Sequence, residues 1–129
     1  MGTASLIGVW NEATGEVVAS YCHYDGYIKG GNGQTLTESY NTTTAADTVA
    51  YGGYLSALYS DYSKSAAEAV HKDKPMTFGS VEEYLVALTD EEGPICRVPY
   101  LYLWDGEGWF VASDMKPLFE EVELTLKAA

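Results

Sequence analysis

The chain holds two cysteines and two histidines, Cys22, His23, His71 and Cys96, the residue types from which structural zinc sites are built. Structural zinc is held by four such groups, but at spacings of two to four residues between cysteines and three to five between histidines, and no such spacing occurs here. Cys22 and His23 are also neighbours on an expected strand, where successive side chains point to opposite faces. A thiolate nucleophile would need Cys22 or Cys96 beside His71, with Asp25 orienting the imidazole, and nothing in the local sequence builds that arrangement. The expectation is buried thiols and a hydrogen-bonded histidine, with no metal, no cofactor and no catalytic residue. The adjacent carboxylates Glu82/Glu83 and Glu120/Glu121 diverge in direction on expected helices and read as solvated faces.

The densest stretch runs from Tyr21 to Gly33. It gathers three tyrosines, Cys22, His23, an Asp-Gly pair and three further glycines. Val17, Val18, Tyr21 and Tyr24 lie in a β-branched and aromatic run that closes at Asp25-Gly26, a strand entering a turn. Beyond Ile28, Gly30, Gly31 and Gly33 free the backbone ahead of a short helix, and such a loop can present N–H groups to an anion. The spacing matches neither the dinucleotide fingerprint nor a P-loop. An ordinary tight connection and a phosphate cradle are the two readings.

These residues need elements to position them. Ala4 to Trp10 and Glu16 to Tyr24 form a hairpin around the turn residues Asn11 to Gly15. Gln34 to Asn41 and Thr44 to Tyr51 are short helices, the second stopped by Gly52-Gly53. Residues 54 to 79 resist assignment: Tyr54, Leu55, Leu58, Tyr59 and Tyr62 form an aromatic cluster, and the polar run from Ser63 to Lys74 fits helix, loop or lid. Ser80 and Glu83 form a capping box ahead of a helix that buries Val81, Tyr84, Leu85 and Leu88 and ends in the acidic turn from Asp90 to Pro94. Val98 to Trp104 and Trp109 to Ser113 make a second hairpin around Asp105 to Gly108. Lys116 to Leu126 reads as a final amphipathic helix with Leu118, Phe119, Val122 and Leu126 on its apolar face. The fold class is α+β, one domain: an antiparallel sheet of four or five strands built from two hairpins, helices mainly on one face, and the last helix over an edge or the open face.

The run Tyr-Cys-His-Tyr-Asp-Gly-Tyr at 21 to 27, followed by Gly33, Leu36 and Tyr40, resembles a family of small uncharacterised phage and prophage proteins. Members carry tryptophan where this chain has Tyr24. The segment from Tyr51 to Leu58 stands where they have a Leu-Gly-Asp-Leu-Ser-Ser-Leu-like run, and Tyr100 to Val111 is similar to their last hairpin. The resemblance spans residues 3 to about 113. It implies a phage-borne accessory protein and brings no established activity.

With 129 residues, 47% of them apolar, the chain is long enough for one core. No run reaches the roughly 18 apolar residues of a membrane helix, and the start lacks a basic-then-apolar leader, so a cytoplasmic protein is expected, which the resemblance makes the cytoplasm of the infected host. Charge is the strongest global feature. Of the net −12, residues 82–129 carry −8 (11 acidic, 3 basic) and residues 1–81 carry −4 (8 acidic, 4 basic). Such a field repels nucleic acid and attracts a basic surface, although acidic surfaces also keep small proteins soluble. The 11 tyrosines are the second feature. Phenols give rigid contact area with a polar tip, and this many are hard to bury with every hydroxyl paired.

Two functions follow as expectations. In the first, the protein binds and inhibits a host protein with a basic surface, of the anti-CRISPR or anti-restriction type. Glu120, Glu121 and Glu123 engage the basic groove, and Tyr24, Tyr27, Tyr54, Tyr59 and Tyr62 anchor the contact. In the second, it sequesters a nucleotide signal, with Gly30, Gly31 and Gly33 on the phosphate and Tyr21, His23 and Asp25 at the base. Lys29, the sole basic residue among the first 60, gives that loop little positive charge, which favours the first. Direct nucleic-acid and membrane contact are not expected, and association into a homodimer stays open.

Overall fold

The computed structural model describes residues 3–69, 74–89 and 98–128. The described elements follow the order β1 (Ser5–Trp10), β2 (Val17–Cys22), α1 (Asn32–Ser39), α2 (Thr43–Ala50), α3 (Tyr62–Ala67), β3 (Met76–Phe78), α4 (Val81–Leu85) running into a 3-10 turn (Val86–Leu88), β4 (Tyr100–Trp104), β5 (Trp109–Ser113), β6 (Glu120–Glu121) and α5 (Val122–Ala128). The class is α+β, as expected, in one sheet of order β3-β2-β1-β4-β5-β6.

Both expected hairpins form, β1 with β2 and β4 with β5. They meet differently from the expectation, through a parallel pair in which Leu6 faces Leu101 and Ile7 faces Tyr102. The connection from β2 to β4 carries helices, and such a crossover is what a parallel neighbour requires. The central pair is covered on both faces, which explains why β1 alternates imperfectly and β4 reads as a continuous apolar run. One layer joins Ile7, Val9, Tyr102 and Trp104 to Leu36 of α1, Val49 of α2 and Val122 of α5. The other joins Leu6, Val17 and Leu101 to Tyr84 of α4 and Leu88. Helices therefore favour one face, and α4 closes the second.

Caps explain the helix starts. Thr42 accepts from the amide of Ala45 at α2, and Asp61 accepts from Ser63 at α3. At α4 the capping box forms with a shift. Ser80 accepts from Glu83, while the Glu83 carboxylate reaches the amide of Gly79 rather than that of Ser80.

Two expectations are corrected. The unassigned stretch contains α3 and the edge strand β3, whose Met76–Phe78 pairs with Val17–Ala19. The last helix begins at Val122 and not near Lys116, because Glu120 and Glu121 first pair with Val111 and Phe110 as edge strand β6. Its supposed apolar face is divided. Phe119 stacks on Tyr84 in the second layer, Val122 packs in the first, and Leu118 is exposed. The acidic turn at 90–94, His71 and Cys96 lie outside the described residues.

Candidate functional site

The Tyr21–Gly33 stretch is built inward. Cys22 ends β2 fully buried, its thiol donating to the Tyr24 carbonyl at 3.6 Å, and burial pushes that thiol up to about 11. His23, the next residue, is exposed. The two diverge as strand neighbours do. Among the described residues no three His, Cys, Asp or Glu side chains are placed to hold a metal.

Asp25 turns the chain with φ +62°, a left-handed conformation that Asp tolerates better than most residues. Gly26 is then laid against the N-terminal backbone, its amide donating to the Thr3 carbonyl at 2.7 Å. The Tyr102 hydroxyl, from β4, donates to the Gly26 carbonyl at 2.6 Å. Asn32, buried at the start of α1, receives no solvent. Its amide donates to the Asp25 carbonyl, and its side chain donates to Ser5 Oγ at 3.1 Å and the Tyr24 carbonyl at 3.3 Å. Asn32 is the hub that locks turn, strand and helix together, a role the sequence reading missed.

Four amides in and after the glycine loop are already engaged. Gly30 donates to Gln34 Oε1, Asn32 to Asp25, Gly33 to Tyr27 and Gln34 to Ile28. Gly31 and Gly33 are buried, and Gly33 sits against Ile28. The loop is a tight connection, and an anion would have to displace these bonds.

What the stretch leaves outside is aromatic. Tyr21 stacks on Tyr54 with centroids 5.6 Å apart, its hydroxyl lies 3.0 Å from His23 Nδ1, and Tyr24 packs edge-on against His23. Tyr24 and Tyr27 are exposed, and the Tyr27 hydroxyl donates to Asp25 Oδ1 at 3.0 Å, a bond that raises the Tyr27 pKa. Tyr54 joins this group because Leu55 bridges to Cys22 as a short parallel extension of the sheet. Tyr59 and Tyr62 sit apart around α3. Lys64 lies 4.6 Å over the Tyr59 ring, and Tyr62 is half-buried against the first layer.

The expected acidic residues occupy the other end of the sheet. Glu120 is paired with Lys116 Nζ at 2.5 Å, and among the described residues this is the single ion pair. Glu121 and Glu123 instead line an open cleft of about 310 Å³. Around it lie Trp104 and Trp109, both almost fully buried in the first layer, Phe110, which packs in the second, Asp105 and Glu107 of the β4–β5 turn, Thr37 of α1 and Asn41 beyond its end. Both indole N–H groups point elsewhere, Trp104 to Thr43 Oγ1 at 3.1 Å and Trp109 to the Tyr40 carbonyl at 2.8 Å. Asp105 Oδ1 accepts from the amides of Glu107 and Gly108, which fixes the turn. Among the described residues no lysine or arginine lines the cleft. The available signal was two tryptophans bracketing an acidic turn, legible as a hairpin but silent about Glu121 and Glu123.

The strand register places Tyr21 in a row with Leu6, Leu101 and Ala112, and Trp104 in a row with Val9 and Val18. The tyrosine group and the cleft are therefore roughly 10 Å apart along the strands and roughly 14 Å across them. No small ligand touches both.

Compared with known proteins, the chain matches no family model, no curated protein and no solved structure significantly. Among the described residues no helix is long and apolar enough to cross a membrane.

Proposed function

We propose that this chain is a binding protein whose acidic end docks on the basic surface of a protein partner. In the phage-borne setting implied by the resemblance at residues 21–27, that partner is a host protein handling nucleic acid in defence, and docking inhibits it. One observation carries the reading. In the described segment 98–128, six carboxylates face two lysines, one lysine is held by Glu120, and four of the other acidic residues lie around one open cleft. Concentrated, uncompensated negative charge beside apolar surface is what steers and then holds a basic partner. The exposed Tyr24 and Tyr27, and Tyr54 stacked on Tyr21, supply a second contact area of the kind enriched at interfaces.

Affinity capture from host lysate, run at low salt and at about 300 mM, tests it, because contacts led by charge weaken as screening rises. A stoichiometric, salt-sensitive partner with a basic face is the expected result. Retained capture after charge reversal at Glu120, Glu121 and Glu123 would count against it.

A further inference from the structure

We propose that Asn32-Gly33 is a self-modification site gated by the fold: it stays intact while the chain is folded, deamidates once the chain opens, and its product no longer supports refolding. The site is independent of any partner. Of the three asparagines, Asn32 alone is followed by glycine. In an open chain the missing Cβ lets the glycine nitrogen turn back on the side chain before it. Gly33 N then bonds to Asn32 Cγ, a five-membered imide closes, and the Cγ–Nδ2 bond breaks as ammonia leaves with the Gly33 amide proton. Solvent water opens the imide at Cγ to give aspartate, or at the main-chain carbonyl to give isoaspartate. The folded chain blocks the first step at both reacting atoms. Asn32 opens α1 and is buried, and its side-chain nitrogen donates to Ser5 Oγ at 3.1 Å and the Tyr24 carbonyl at 3.3 Å. Gly33 N donates to the Tyr27 carbonyl at 3.4 Å, and the helical ψ holds it out of the plane in which the imide would close.

The fold itself requires this labile pair. Asn32 ties turn, strand and helix together, and a Cβ on Gly33 would stand 2.9 Å from Ile28 Cα and 3.1 Å from its carbonyl oxygen. Deamidation puts a carboxylate, which only accepts, where an amide donated to the Tyr24 carbonyl. A carboxylate in a first helical turn gains from the dipole, but at a buried position the lost solvation outweighs that gain. Isoaspartate also lengthens the main chain between the amide bonded to Asp25 and the amide bonded to Tyr27. Unfolding is therefore one-way on the time scale of this chemistry.

The test holds the full-length chain in mildly alkaline buffer, with and without unfolding urea, and maps its peptides by mass spectrometry over time. A tryptic cut after Lys29 separates Asn32 from Asp25-Gly26, a pair that forms the same imide by losing water. In urea, Asn32 should deamidate ahead of Asn11 and Asn41, which precede Glu12 and Thr42. Without urea its rate should fall about a hundredfold or more, because the native chain must open first. Samples aged in urea and then diluted should regain native tryptophan fluorescence only in proportion to the Asn32 left intact. In mildly acidic urea, where ring closure is slow, the refolding yield should hold over the same period, which separates deamidation from aggregation. Asn32→Asp, made directly, should refold poorly or not at all. Equal Asn32 rates in buffer and urea would overturn the gating, and this comparison uses the parent chain alone. Refolding of the deamidated fraction, or of Asn32→Asp, to the parent's urea midpoint would overturn the block on refolding.

Discussion

The Tyr21–Gly33 stretch and the β4–β5 cleft lie at opposite ends of one sheet and use their polar groups in opposite ways. In the stretch, the Cys22 thiol, the Asn32 amide and the amides of Gly30, Asn32 and Gly33 all bond within the chain. In the cleft, Asp105 Oδ1 serves the turn, and Glu107, Glu121 and Glu123 have no ion-pair partner among the described residues. The conspicuous motif mainly holds the fold, and the inconspicuous carboxylates face outward. A motif's density is thus a guide to how much local structure it must satisfy, and only unsatisfied, converging groups point to a ligand.

One glycine in each region makes the sharpest test. A Cβ on Gly26 would stand 2.7 Å from the Ala4 carbonyl oxygen and 2.8 Å from that of Thr3, both backbone atoms that cannot step aside. Gly26→Ala should cost about 3 kcal/mol or more, or prevent folding. A Cβ on Gly108, at the cleft, meets nothing within 4 Å and needs no left-handed backbone. Gly108→Ala should be neutral or stabilising by up to about 1 kcal/mol. Urea midpoints read at constant m-value decide it, and similar costs at the two sites would break the contrast.

The hub should come next in size. Asn32→Ala strips donors from Ser5 Oγ and the Tyr24 carbonyl in a buried site, for an expected loss of about 1–3 kcal/mol. Tyr102→Phe leaves the Gly26 carbonyl without its hydroxyl donor and should cost about 1–2 kcal/mol, again by urea titration.

The same end of the sheet sets the response to alkali. The Cys22 thiol ordinarily ionises near 9 and is pushed to about 11 by burial. Between those values the unfolded chain has released this proton and the folded chain still holds it, so stability falls as pH rises, by about 2–3 kcal/mol across the window. Burial raises Tyr84 and Tyr102 as well, which adds to the fall in the same direction at higher pH. Thermal melts from pH 8 to 11 should show the decline, with a shallower slope in Cys22→Ala. An unchanged slope would mean that the thiol is not held neutral by the fold.

What could be read in advance follows the same division. Both hairpins, α2 with its Gly52-Gly53 stop and the Ser80 cap were legible because each is written in adjacent residues. The parallel β1–β4 junction was not, because pairing between distant strands leaves no local mark beyond a continuous apolar run. Residues 116–126 misled for a physical reason. Pairing of Glu120 and Glu121 with β5 overrides helical periodicity, so Phe119 and Val122 serve different layers. Glu121 and Glu123 were singled out for their charge, but their place beside the β4–β5 hairpin depends on that edge pairing.

The smallest expected effect on folding is the most informative about use. E121Q/E123Q removes two exposed carboxylates from a crowd of like charges, so stability should stay within about 0.5 kcal/mol, with any change towards greater stability. E120Q breaks an exposed i,i+4 pair with Lys116 and should lose at most about 0.5 kcal/mol. If instead the double variant is markedly destabilised, the two carboxylates are holding structure, as Asn32 does, and the two ends of the sheet cease to differ. If its melting curve is unmoved, the four carboxylates are kept together at no benefit to folding. If it moves upward, repulsion among these carboxylates is a standing cost in the free protein, which a basic partner would relieve.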